Sequence, residues 1–266
     1  PGGAAESKAL AVQGAQQVGY ARFGTANHAG LWAGTAGSWV DLHPAGAAAS
    51  VAEGVDNGVQ VGSAVVTGLG GRASLWSGTP ESWVDLNPPG VTNAMALGVR
   101  AGQQVGAVMS GTDWQAAIWS GTPGSYVNVH PGSAASSTLN ASDGVMQVGS
   151  ARFGMSNVYS TAGTWHGSGA SFQSLEPVGG LGSAAADTDG IQQAGVVGFS
   201  DISHAGYWSG TAATWVDLHP LAASWSTANG VWGGYQVGTV IVDGVLRASA
   251  SSACSRSCGM PRSRAS

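Results

Sequence analysis

The stretch His28–Gly46, HAGLWAGTAGSWVDLHPAG, sets the frame of the chain. It returns as RASLWSGTPESWVDLNPPG from Arg72, as QAAIWSGTPGSYVNVHPGS from Gln115 and as HAGYWSGTAATWVDLHPLA from His204. A diverged copy, TAGTWHGSGASFQSLEPVG, begins at Thr161. A second marker, Gln-Val-Gly, runs in step with it. Its glutamines are Gln17, Gln60, Gln104, Gln147 and Gln236, with Gln193 in a Gln-Ala-Gly variant, so the steps are 43, 44, 43, 46 and 43 residues. Repeats of this length, filled with short strand-like runs, have the period of propeller blades.

One unit reads as four strands. In the second unit these are Ser50–Val55, Val59–Thr67, Arg72–Ser77 and Ser82–Leu86. Asn57-Gly58 forms the first turn, because type I′ hairpins need positive φ. Equivalent turns carry Ala101-Gly102, Asp143-Gly144, Asp189-Gly190 and Gly233-Gly234. Pro88-Pro89 ends strand four, where a missing N–H costs no ladder bond. Apolar residues alternate at period two and Gly or Pro interrupts every ten or so, which excludes helices. A β-solenoid also repeats, but its coils are shorter. The fold expected is therefore all-β: a β-propeller of four-stranded antiparallel blades, five complete and a partial sixth.

The units span about 4–46, 47–90, 91–132, 133–178, 179–221 and 222–249. Small residues such as Ala52, Gly54, Ala94 and Ala96 mark strand one as the crowded inner strand. Trp32, Trp76, Trp119, Trp165 and Trp208 mark strand three, and Trp39, Trp83, Tyr126, Phe172 and Trp215 mark strand four. Both aromatic stacks are expected to fill the gaps between blades. Pro1–Gly3 match the end of a strand four, so the array reads as cut from a longer one. At the other end Arg247-Ala248-Ser249 matches Arg72-Ala73-Ser74, but the chain then turns to ASSACSRSCGMPRSRAS. Residues 250–266 are expected to be an aberrant, disordered tail. Trp225 and Trp232 fall off register and are expected to plug the open side of the sixth unit.

Composition excludes several functions. Charged residues make up 9%, the net charge is −5 and the one lysine is Lys8. Phosphate backbones need clustered Lys and Arg, so nucleic acid is not a partner. No apolar run is long enough to span a membrane. Cys254 and Cys258 form a C-x3-C pair read as incidental thiols. No metal-binding spacing, nucleophile elbow or phosphate loop is present, and neither cofactor nor metal is expected.

The units resemble the bacterial HAF-type repeat, in which a Gln-x-Val-Gly strand precedes a His-Ala-x-x-Trp strand. Gln16–Gly19 with His28–Trp32, and Gln192–Gly195 with His204–Trp208, carry the likeness. Arg72, Gln115 and Thr161 replace the motif histidine in three units. The long form is similar to repeats of secreted bacterial proteins, many ending in a PEP-CTERM sorting signal. The resemblance implies an extracellular or cell-surface protein.

The turns between strands one and two, and three and four, are uniform. The loops between strands two and three vary, which marks their face as a recognition surface. Candidate ligand-binding residues there are His28, Arg72, Gln115, His204 and Arg247, four residues ahead of the strand-three tryptophan position. The loops add Asp113, Trp114, Tyr159 and Asp201. A second ring, His43, Asn87, His130, Glu176 and His219, closes strand four. Its histidines are expected to cap the strand and bond the neighbouring blade, and His28 is expected to lie nearer the axis. The function implied is a non-catalytic binding or scaffolding propeller for a protein or glycan. The alternative is a propeller enzyme, a glycan hydrolase or lyase, with His28, Asp113, Asp201 and His204 at the channel mouth. An open sixth blade would also permit self-association.

Overall fold

The computed structural model describes residues 1–154, 159–200 and 202–252. These residues form six antiparallel sheets, each an up-and-down meander in chain order. Blade one holds β1 (Glu6–Gln13), β2 (Gln16–Phe23), β3 (Ala26–Trp32) and β4 (Val40–Asp41). Blade two holds β5 (Ala47–Asp56), β6 (Val59–Val66), β7 (Gly70–Trp76) and β8 (Val84–Asp85). Blade three holds β9 (Ala94–Arg100), β10 (Gln103–Ser110), β11 (Asp113–Trp119) and β12 (Val127–Asn128). Blade four holds β13 (Ala134–Ser142), β14 (Gln147–Phe153), β15 (Thr161–Trp165) and β16 (Gln173–Ser174). Blade five holds β17 (Ser183–Thr188), β18 (Gln193–Phe199), β19 (Ile202–Trp208) and β20 (Val216–Asp217). Blade six has β21 (Ala223–Trp232), β22 (Tyr235–Val242) and β23 (Val245–Ser252). The described residues form a six-bladed β-propeller whose last blade has three strands. β23 continues three residues beyond the expected break at 249. Both cysteines lie outside the described residues.

Strand four is shorter than expected. Pro80–Ser82 winds a single 3-10 turn instead of extending. The hydroxyl of Ser82 donates to Thr79 O at 2.6 Å and accepts from Ser77 N at 2.7 Å. The same turn forms at Ser38, Ser125, Ser171 and Thr214. This is why each of the five complete units spells Gly-Thr or Gly-Ser and then Ser or Thr three residues on. The glutamine of Gln-Val-Gly holds that turn from strand two. Gln60 Oε1 accepts from Gly78 N at 2.8 Å, and Gln17, Gln104, Gln147 and Gln193 do the same to their own turn glycines. The two markers of the repeat are thus the two halves of one contact.

The strand-three tryptophans pack between blades. Trp76, Trp119, Trp165 and Trp208 are fully buried, each against the preceding blade. The strand-four aromatics are half-buried and lie over strand three. Trp39, Phe172 and Trp215 sit where a side chain on Gly30, Gly163 or Gly206 would be. In blade two that place is Ser74, whose hydroxyl oxygen accepts a hydrogen bond from Trp83 Nε1 at 2.9 Å.

Four junctions between consecutive blades are packed in this way; the fifth, between blades five and six, has Ser251 at the tryptophan place and packs through Ala194, Ala205, Ala228 and Val231. The sixth, between blades six and one, is an open seam. Val61, Val105, Val148 and Ala194 are completely buried, whereas Val237 at the same repeat position is 52% exposed. On the facing side Val12 is 66% exposed, although its equivalents Val55 and Val231 are buried.

Candidate functional site

Every inner strand carries a β-bulge at the same place. The pairing skips one residue between Ala9 and Ala11, Ala52 and Gly54, and Leu139 and Ala141, and likewise in the other three blades. A bulge re-aims the extra side chain. Here it delivers Leu10, Glu53, Leu97, Asn140, Ala186 and Asn229 into one axial cavity of about 850 Å³. The glycine of Gln-Val-Gly faces the bulge from strand two. A Cβ on Gly62 would stand 2.0 Å from Val51 O, and Gly19, Gly106, Gly149, Gly195 and Gly238 are equally pressed.

The next position toward the first turns is Ala11, Gly54, Gly98, Ala141 and Gly230, with Asp187 as the exception. Asp187 accepts from Val231 N at 2.9 Å and Thr188 N at 2.8 Å. Burial pushes its carboxyl pKa up, against the pull of these two bonds. Burial also raises Glu53, against the weaker pull of Lys8.

The channel ends in a polar ring at the first turns, built from Gln13, Asp56, Arg100, Asp143, Asp189 and Trp232. Several of its bonds tie neighbouring blades. Gln13 Nε2 donates to Asp56, Asp56 Oδ2 accepts from Ala101 N at 2.8 Å, and Asp189 Oδ2 accepts from Gly233 N at 3.1 Å. The guanidinium of Arg100 lies 4.7 Å from the Trp232 ring centroid. Trp232, expected to plug the open side of blade six, therefore stands at the channel mouth.

The loop-face residues are placed differently. His28 Nδ1 meets Asp41 Oδ2 at 2.9 Å, Arg72 Nε donates to Asp85 at 2.8 Å, Asn128 Nδ2 donates to Gln115 at 2.7 Å, and His204 Nδ1 meets Asp217 at 2.7 Å. Each pair joins strand three to strand four of its own blade, so these side chains turn toward the outer strand and not toward the axis. Asp113 lies 3.8 Å from Arg152 of the next blade. Trp114 is half-buried, Tyr159 is exposed and packs beside Gly182, and Arg247 is exposed. Asp201 lies outside the described residues. Arg72 also borders a groove of about 440 Å³ with Leu69, Asn87, Pro88 and Thr92. Among the described residues no three His, Cys, Asp or Glu side chains gather as a metal site.

The second ring clamps blade to blade. His43 Nε2 donates to Ala47 O at 3.0 Å, so Nδ1 accepts from the Ser50 hydroxyl at 2.8 Å, and Ser50 Oγ in turn accepts from Ala29 N at 2.8 Å. His130 with Ser137 and His219 with Ser226 repeat the relay. Blade two solves the same problem with other residues. Ala94 replaces the serine, and Asn87 Oδ1 accepts directly from Ala73 N at 2.7 Å. The rings of His28 and His43 stack at 3.9 Å, as do His204 and His219 at 4.0 Å.

A search of family profiles finds no match, and neither does a search of curated proteins. The fold is similar to TolB from Acinetobacter baumannii, with a TM-score of 0.55 and 10% identity over 84% of this chain and 59% of that one. It is also similar to the acylaminoacyl peptidase of Pyrococcus horikoshii, with a TM-score of 0.54 and 10% identity over 92% of this chain and 44% of that one. The chain thus spans about half the length of these structures. At such identity the likeness carries the fold alone.

Proposed function

We propose that the chain is a non-catalytic binding or scaffolding propeller that takes a protein or glycan segment into its axial channel. The observation behind this reading is the bulge ring. Equivalent backbone delivers six side chains to one cavity, and they differ: two leucines, two asparagines, an alanine and a glutamate. A frame that repeats its core while varying the residues aimed at one cavity has the form of a recognition site. Asparagines beside leucines suit a partner with hydroxyl or amide groups on an apolar face. Work outside the cell is inferred from the likeness to HAF-type repeats. No helix is long and apolar enough to cross a membrane among the described residues.

One observation favours the second reading, a glycan hydrolase or lyase. Glu53 and Asp187 line the same channel, and burial raises the pKa of both carboxyls. A general acid needs such a shift.

Glycan and peptide arrays probed with the chain and its variants test both. Ala186→Trp fills the channel and is expected to abolish binding, while Arg72→Ala keeps it. Binding that survives Ala186→Trp and is lost with Arg72→Ala would move the site to the loop face. Turnover of a bound glycan that stops with Glu53→Gln would establish the enzyme.

A further inference from the structure

Among the described residues β23 has a neighbour on one side only, β22, and its other edge is open. We propose that this edge and the seam beside it receive an extended strand of the repeat's own strand-four chemistry, Trp-Val-Asp-Leu followed by His or Asn. The five complete blades show what such a strand meets. In blades one, two and five its aspartate pairs with Gly30, Ser74 or Gly206 of strand three. Ser249 holds that place in β23, since Gly238 pairs with Ser249 as Gly62 pairs with Ser74.

Charge fits the same occupant. Arg247 stands at the repeat position of His28, Arg72 and His204, as its pairing with Val240 shows. Each of those three bonds the strand-four aspartate of its own blade. Arg247 is exposed and has no ion pair among the described residues. An incoming Asp would supply one.

The far side of the seam carries the matching half. Ser7 occupies in blade one the place of Ser50, Ser137, Ser183 and Ser226. Those serines accept from Ala29, Ala116, Ala162 and Ala205 N and, apart from Ser183, which meets a glutamate, bond the strand-four histidine. Ala248 and Ser7 are the corresponding residues across the seam, and among the described residues they make no such bond. The strand-four leucines Leu42, Leu86 and Leu175 are fully buried between blades. A leucine in the empty place would cover the exposed Val12 and Val237.

The end point of the strand is also marked. Ala4 N donates to Pro1 O at 3.4 Å with Gly3 at φ 78°. Ala47 and Pro44 form the same turn at 3.1 Å, with Gly46 at φ 80°, directly after β4 and His43. A strand lying on β23 would thus finish beside Pro1. The recognition is β-augmentation, in which main-chain bonds give affinity and alternate side chains give specificity.

The test uses a fluorescein-labelled peptide TAGSWVDLH, residues 35–43, and reads anisotropy. One peptide is expected to bind per chain. Arg247→Glu, or Lys for Asp in the peptide, is expected to weaken binding about tenfold, and the two together to restore it. A second variant carries the same nine residues joined ahead of Pro1, which raises their effective concentration. Its β23 amides, and those of Val12 and Val237, are expected to exchange more slowly with solvent. Binding indifferent to Arg247→Glu would overturn the proposal. So would unchanged exchange in the joined variant, or pairing of two chains through β23 that the peptide does not displace.

Discussion

Arg100 on β9 lies over the ring of Trp232 on β21, 4.7 Å from its centroid, and so joins blade three to blade six across the channel mouth. Among the described residues blade six is packed on one side only, and this contact gives it a second attachment. Trp232→Ala is expected to cost about 0.5–1 kcal/mol, the range for a cation–π pair at an exposed site. Its signature is faster amide exchange throughout β21–β23, with blades two to four unchanged. An effect spread evenly over all blades would mean that the pair does not anchor blade six.

The glutamine of Gln-Val-Gly is buried to satisfy a turn on another strand. Gln104→Ala leaves Gly121 N without its acceptor and is expected to cost about 1–3 kcal/mol in urea unfolding. Gln17→Ala should cost less, because its contact is exposed and water replaces it. Equal costs at the two sites would contradict this assignment.

Glycine opposite the bulge is required by space. Gly62→Ala places a methyl within 2.0 Å of Val51 O, so either the bulge straightens or strands β5 and β6 part. A loss of about 3 kcal/mol or more is expected, at the upper end of overpacking costs. The variant should also fail to hold Glu53 in the channel. Near-normal stability would show that the bulge is not fixed by this contact.

Protonation opposes the His43 clamp. Burial lowers the His43 pKa below its ordinary value near 6.5, more than the Ala47 carbonyl raises it. The neutral ring makes both bonds, so its stabilisation is complete above pH 6.5 and is lost as pH falls from there through the lowered pKa. The double variant His43→Asn, Ser50→Ala copies the Asn87 and Ala94 junction of blade two. It should fold, and should lose less stability than the parent over that acid range. His43→Asn alone should be worse than the pair, since Ser50 then lacks its acceptor.

Glu53 has the opposite sign. Its raised pKa means that protonation favours the fold, so stability is greatest below the ordinary carboxylate value of 4.5 and falls as pH rises through the raised one. Glu53→Gln removes the buried charge. It is expected to be more stable than the parent at pH 7 by less than about 1 kcal/mol, and no different at pH 4. A destabilised Glu53→Gln at pH 7 would show that the carboxylate makes a contact the neutral amide cannot.

Much of this was readable in the residues, and the misreadings have physical causes. The Gln-Val-Gly period counted the blades, Asn57-Gly58 located the hairpins, and the small residues on strand one marked the inner wall. His43 and His130 were expected to bond the next blade, and they do so through Ser50 and Ser137. His28 was expected to lie nearer the axis than His43; its bond to Asp41 on the outer strand could not be read from the repeat. The bulge ring was missed because residues on both sides of Glu53 are small, so one extra residue left the alternation intact. Gly62, a glycine repeated inside a strand, was the available sign of a bulge. Asp187, standing where other blades have Gly or Ala, was another.

The central claim is that the ligand occupies the channel through the bulge ring. Amide exchange of the chain with and without a ligand captured on the arrays tests it most directly. A ligand in the channel slows exchange around Glu53, Leu97, Asn140 and Ala186 and leaves the loops near Leu69 and Asp113 unchanged. Protection confined to those loops, with the channel unaltered, would contradict it.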